Sequence, residues 1–112
     1  MAYKFEALEV ALELARALGR VLERVQRCDR DMAGQLRRAG ASVPSCLSEG
    51  AQRTGKDRFH LYRTSAGSAA EIRTQVQLAL AWGYLDAETV APIEALADRV
   101  VAITWRLTHS RR

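Results

Sequence analysis

A proline stands inside a segment that otherwise has the character of one long amphipathic helix. From Gln35 to Gly50 the chain runs Gln-Leu-Arg-Arg-Ala-Gly-Ala-Ser-Val-Pro-Ser-Cys-Leu-Ser-Glu-Gly, with Pro44 among serines and alanines. A proline there withholds the N–H that would bond the carbonyl of residue 40, and its ring crowds the same turn. In an isolated helix the cost is about 3 kcal/mol. Residue 40 is glycine, which eases local adjustment, and Ser42, Ser45 and Ser48 stand where hydroxyls reach stranded carbonyls. A second run of small residues, Thr64-Ser-Ala-Gly-Ser-Ala-Ala70, follows about twenty residues on. If the chain folds back between Gly50 and Gly55, the two runs face each other and predict a helical hairpin with closely approaching backbones. Pro44 then either fits its helix to its neighbours or shapes a binding surface, and the two are compatible.

The remaining pattern is helical as well. Glu6, Glu9, Glu13, Arg16, Arg20, Glu23 and Arg27 keep an unbroken three-four spacing, which predicts one helix from about Lys4 to Arg27. Its apolar residues form two lines: Phe5, Leu8, Leu12, Ala15, Leu22 and Val25 as the core face, and Ala7, Ala11, Leu14, Leu18 and Val21 beside it. Asp29 or Asp31 is suited to cap the second helix, and Gly50 to end it as a left-handed residue. Thr54-Gly-Lys-Asp57 resembles a capping box for a third helix, which Gly83 should close. The fourth helix follows Asp86 or Thr89 to about Thr108. Pro92 sits comfortably in its first turn if Thr89 is the cap, after a short lead-in turn, and bends the helix if Asp86 is. Short connections force neighbours antiparallel, so the expected fold is all-α, a single up-down-up-down four-helix-bundle domain over residues 1–112.

A chain of 112 residues supports one core without staples. No apolar run is long enough to span a bilayer, and the opening Met-Ala-Tyr-Lys-Phe-Glu lacks a signal-peptide layout. Cys28 at a helix end and Cys46 within the next helix fall roughly 24 Å apart, too far for a disulfide. Reduced thiols and a cytoplasmic location are the expectation.

No reaction is spelled out. Glycines are scattered rather than gathered into a phosphate loop, and His60 and His109 are the only histidines. A bundle-type di-iron site needs about four carboxylates with Glu-x-x-His motifs, and Asp57-x-x-His60 is the nearest approach. No catalytic group, metal or cofactor is expected. Charge is the better lead. Eleven Lys/Arg against five Asp/Glu lie between Arg16 and Arg63, but two against five from Thr64 to Trp105. Arg16, Arg20, Arg24 and Arg27 on helix 1, extended by Arg30, Arg37 and Arg38, are candidate phosphate contacts. The plainer explanation is that late arginines suit the helix dipole and Glu23 pairs with Arg27. Sparse aromatic residues argue against sequence-specific reading of bases.

Helix 4 has a core stripe of Val90, Ile93, Ala97, Val100, Thr104 and Leu107, with Val101 and Trp105 beside it. Together with Leu14 and Leu18 from the second line of helix 1, they are the candidate oligomer interface.

The pattern Gln-Leu-Arg-Arg-Ala-x-x-Ser-Val-Pro-Ser-x-x-x-Glu-Gly, followed by Ala66-Gly-Ser-Ala-Ala-Glu-Ile72, resembles the 23S rRNA intervening-sequence proteins. This bacterial four-helix-bundle family is related to the accessory variability proteins of diversity-generating retroelements. The resemblance covers Gln35 to Leu85 most strongly. It implies a ring-like homopentamer without enzymatic activity, in which Ser42, Pro44, Glu49, Gly50, Ser68 and Glu71 are structural, with Glu49 and Glu71 facing inward. For the retroelement relatives it implies basic assemblies that engage nucleic acid and a reverse transcriptase. Cys46 departs from the pattern, which usually has asparagine there, so no role of that amide carries over.

Overall fold

In a computed structural model whose described residues are 5–109, every regular element is helical. The elements are α1 (Glu6–Gly19), α2 (Leu22–Cys28), α3 (Arg30–Ala51), α4 (Gly55–Ala81) and α5 (Ala87–His109). The expected first helix is thus two. Its polar stripe continues through the junction, but the backbone does not: Val21 N–H turns back to Leu18 at 2.9 Å, a tighter closure than the α-helical ladder. Gly19, the weakest helix former of the segment, closes α1 just before that break. Lys4, the expected start, lies outside the described residues.

The other boundaries follow local chemistry. Asp29 caps α3, its carboxylate accepting from Met32 N–H at 3.0 Å. Asp86 does the same for α5, accepting from Thr89 N–H at 2.8 Å, so Pro92 lies inside α5 and no separate lead-in turn precedes it. Gly83 has φ +78° and closes α4 as expected: its N–H bonds Leu80 O at 3.1 Å and the Tyr84 N–H bonds Ala79 O at 2.8 Å. Two expectations fail. The Thr54 side chain makes no capping bond; Asp57 pairs with Arg53 instead, at 3.1 Å. Gly50 is not a left-handed terminator but an interior residue of α3, and the positive-φ glycines are Gly55 and Gly83.

Gly50 is needed for proximity. A Cβ built there would lie 2.8 Å from Tyr62 Cε1 and 3.3 Å from Leu61 Cβ. The α3–α4 hairpin is close along its length. Ser65, fully buried, donates to the Val43 carbonyl at 2.8 Å, and Ser68 donates to Ser42 at 2.9 Å. The serine that reaches the α3 backbone near Pro44 therefore comes from the opposite helix.

Around the bundle α1 packs on α3, α3 on α4, α4 on α5 and α5 on α1, while α2 leans mainly on α3. The core runs from Ala7, Val10, Leu14 and Leu18 through Leu36, Val43 and Leu47 to Ile72, Val76, Ile93 and Val100. Leu14 and Leu18 belong to this core, at 0% and 1% exposure, and form no part of an outer surface. The line expected as a flank is buried; of the line expected as the core face, Val25 is buried and Phe5 and Leu22 pack against the core, while Leu8 and Ala15 are half-buried and Leu12 lies outside.

Candidate functional site

The arginines do not form one stripe. All seven, Arg16, Arg20, Arg24, Arg27, Arg30, Arg37 and Arg38, are exposed. They are divided among elements: Arg16 on α1, Arg24 and Arg27 on α2 beyond the break after Gly19, and Arg30, Arg37 and Arg38 on α3. The Arg24 guanidinium reaches Thr89 Oγ1 at the start of α5, at 3.4 Å, whereas Gln26 of α2 accepts from Arg37 of α3 at 3.2 Å. The result is a collar around the α2 end of the bundle. Within it, and among the described residues, Arg27 is the one with a carboxylate partner, Glu23 at 3.6 Å, both side chains well solvated. Such a pair contributes little, which leaves most of the positive charge available to an anion.

At the same end, Trp82 and Tyr84 flank the left-handed Gly83. Their rings meet edge to face, centroids 5.9 Å apart at 65°. Partial burial raises the Tyr84 pKa above its ordinary value, and the charge of Asp29 and a hydrogen bond to it push the same way. This pair was not among the sequence candidates. The available signal was the order Trp-Gly-Tyr at a helix end; the approach of the Asp29 corner is long-range and invisible in sequence.

The motif residues divide. Ser42, Ser68 and Gly50 are packing elements of the α3–α4 hairpin, and Pro44 sits half-buried beside α1. Glu49 and Glu71, expected to face inward, are both exposed. Glu49 instead binds Arg53 at 2.7 Å, and Arg53 also holds Asp57, tying the end of α3 to the start of α4. Among the described residues no carboxylate lies in the core, so Glu49 and Glu71 do not form an inward acid pair. Among the described residues no three His, Cys, Asp or Glu side chains gather as a metal site. Cys28 is exposed and Cys46 half-buried beside Ser42 at 3.6 Å, both as free thiols.

Two apolar strips lie on the surface. Along the α1–α3 edge, Leu8, Leu12 and Ala15 line shallow depressions with Ala41 and Pro44, and Leu12 is 42% exposed. Along the α4–α5 edge, Trp105 is 60% exposed beside Val101 and Ala102, bordered by Arg106 and the ion-paired Arg73 and Asp98, and stacks one ring face on His109 at 4.2 Å. Val101 is half-buried, so of the four expected interface residues these two lie at the surface and Leu14 and Leu18 do not. Given the packing order, the two edges are on opposite sides of the bundle. No helix among the described residues is long and apolar enough to cross a membrane.

No curated protein matches the chain. Among solved structures, that of a protein of unknown function from the S23 ribosomal protein family of Bacteroides thetaiotaomicron superposes with a TM-score of 0.84. Its identity is 16%, covering 93% of this chain and 99% of that one, which speaks for a shared fold. A family model described as 23S rRNA-intervening sequence protein matches residues 3–106. That match takes in all five helices but the last turn of α5, the proline helix and its serine partner included, and the chain therefore belongs to the 23S rRNA-intervening sequence protein family.

Proposed function

We propose that the chain is a non-enzymatic adaptor that assembles with copies of itself and offers its arginine collar to nucleic acid or to a nucleoprotein such as a reverse transcriptase. The observation that carries the assembly is the pair of apolar strips on opposite edges, centred on Leu12 and Trp105. Burying a leucine or tryptophan left in water is favourable by about 25 cal/mol per Å² of apolar area. Because the two strips differ in shape and lie apart, the contact they support is head-to-tail, which gives a ring where the rotation between copies closes and an open filament where it does not. Five copies is the number that the resemblance implies.

Light scattering at micromolar concentration tests the assembly. A monomer under those conditions overturns it, and Trp105→Asp should dissociate the particle without unfolding the subunit, since that side chain lies outside the core. Titration of labelled RNA and DNA at low and moderate salt tests the collar; phosphate contacts predict binding that weakens steeply with salt, and no binding at either removes this part.

A second reading rests on the division of charge between the two halves of the chain. In it the arginines pair with acids of the adjoining subunit. Changing Arg16, Arg20 and Arg24 to Glu separates the two: loss of assembly favours subunit pairing, whereas loss of nucleic-acid affinity alone favours the collar.

A further inference from the structure

The α2 end of the bundle carries an aromatic surface that nothing in the fold uses. Trp82 is 58% exposed, although it is the largest side-chain type available and a core lies one turn away. Its position is fixed rather than loose. It is the last residue before Gly83, whose left-handed backbone and paired return bonds to Leu80 and Ala79 set the direction of the chain. Its ring meets Tyr84 edge to face, and Tyr84 is itself half-buried against Asp29. An edge-to-face contact leaves at least one face of Trp82 clear of Tyr84, on a side chain that is 58% exposed.

The charges around this surface are those of a phosphate chain's partner. Asp29, which abuts Tyr84, is followed directly by Arg30 and preceded closely by Arg27. Arg24 reaches across to Thr89 and acts on Asp86. The two acids nearest the rings, Asp29 and Asp86, are both engaged as helix caps, where free N–H groups offset their charge. Glu23 shares Arg27, so Arg24 and Arg30 are the cations left for a ligand.

We propose that Trp82, braced by Tyr84, is a stacking platform for an unpaired base, with Arg24 and Arg30 holding the adjoining phosphates. The preferred ligand class is then single-stranded or looped nucleic acid rather than duplex. A duplex keeps its bases stacked on one another, whereas an unpaired base offers a π-face to any exposed ring, with little dependence on sequence. This inference rests on the collar binding nucleic acid, and deepens it by naming the strand state and the residue that reads it.

The test uses the full chain with a labelled single-stranded RNA of about 12 nucleotides, within the range of single-strand site sizes, and with the same strand annealed to its complement. Trp82→Ala should weaken single-strand binding roughly 5- to 100-fold and leave duplex binding unchanged, while Trp82→Phe restores most of the loss. In a Trp105→Phe background Trp82 is the sole tryptophan, and its fluorescence should quench as the single strand saturates. Single-strand affinity unaffected by Trp82→Ala, or fluorescence unaffected by saturation, overturns the platform while leaving the collar intact. Should the wild-type chain bind neither probe at low salt, collar and platform fall together. The fluorescence readout decides the matter if the alanine variant does not fold.

Discussion

Single residues carry much of the specification of this bundle, and the one with least substance is the clearest case. Gly50 permits the Tyr62 ring to lie against the α3 backbone, and a methyl group there would sit 2.8 Å from the ring. Tyr62 is buried, so its ring must shift within the packed hairpin to admit the methyl group. Gly50→Ala should therefore destabilise the protein by about 1–3 kcal/mol, the range for an overpacked core, as read from chemical denaturation. A neutral or stabilising result, as expected for an ordinary helical glycine, would show that the close approach is not limiting. Asp86 gives a prediction in pH. Its carboxylate is held below its ordinary 3.8 by hydrogen bonds from the Thr89 side chain and backbone. A lowered value means that the ionised form is favoured by folding, so its contribution is present above 3.8 and is lost as pH falls through the folded value. Asp86→Asn keeps an acceptor at the cap but cannot titrate. Thermal midpoints should fall less steeply for the variant below pH 4 than for the parent, and parallel curves would contradict the assignment.

Among the elements, the α3–α4 hairpin was legible because its chemistry is local and repeated. Two runs of small residues imply close backbones, and Ser65 bonded to Val43 O is that closeness made visible. The core stripe of α5 was equally plain, since Val90, Ile93, Ala97, Val100 and Thr104 keep helical spacing and are buried, with Leu107 half-buried against the core. Helix 1 was not. Two apolar lines on one helix are equivalent by periodicity, and only the positions of α3 and α5 decide that Leu14 and Leu18 go inward while Leu12 stays out. The break between α1 and α2 was hidden for a related reason: an unbroken polar stripe records which side meets water, not whether the backbone ladder is continuous. The end of α4 is set by Gly83. At φ +78° a side chain brings a penalty of about 1–2 kcal/mol. Gly83→Ala should lower stability by that amount and, because the same turn holds Trp82 and Tyr84, alter near-ultraviolet circular dichroism. An unchanged aromatic spectrum would show that the turn does not hold the pair.

For the whole molecule the decisive property is that its two uncovered apolar edges differ. If copies join α1–α3 edge to α4–α5 edge, each copy needs both. Leu12→Asp and Trp105→Asp should then each prevent ring formation, and a mixture of the two variants should yield a one-to-one pair and nothing larger, because one good edge survives on each. Sedimentation of the mixture checks this. Growth to full-sized rings, or a stable assembly of Leu12→Asp alone, would place the contact elsewhere. The exposed arginines were legible as a set, but their arrangement as a collar depends on Arg24 meeting Thr89 and Arg37 meeting Gln26, contacts between elements far apart in sequence.

The short helix α2 hangs between the break after Gly19 and the Asp29 cap, rests on α3 with Val25 as its buried residue, and touches α1 only slightly. Hydrogen bonds from Arg24 to Thr89 and from Arg37 to Gln26 tie it sideways to α5 and α3. The backbone break therefore divides the labour, with α1 continuing the core while seven residues lash three neighbouring rods together at one end.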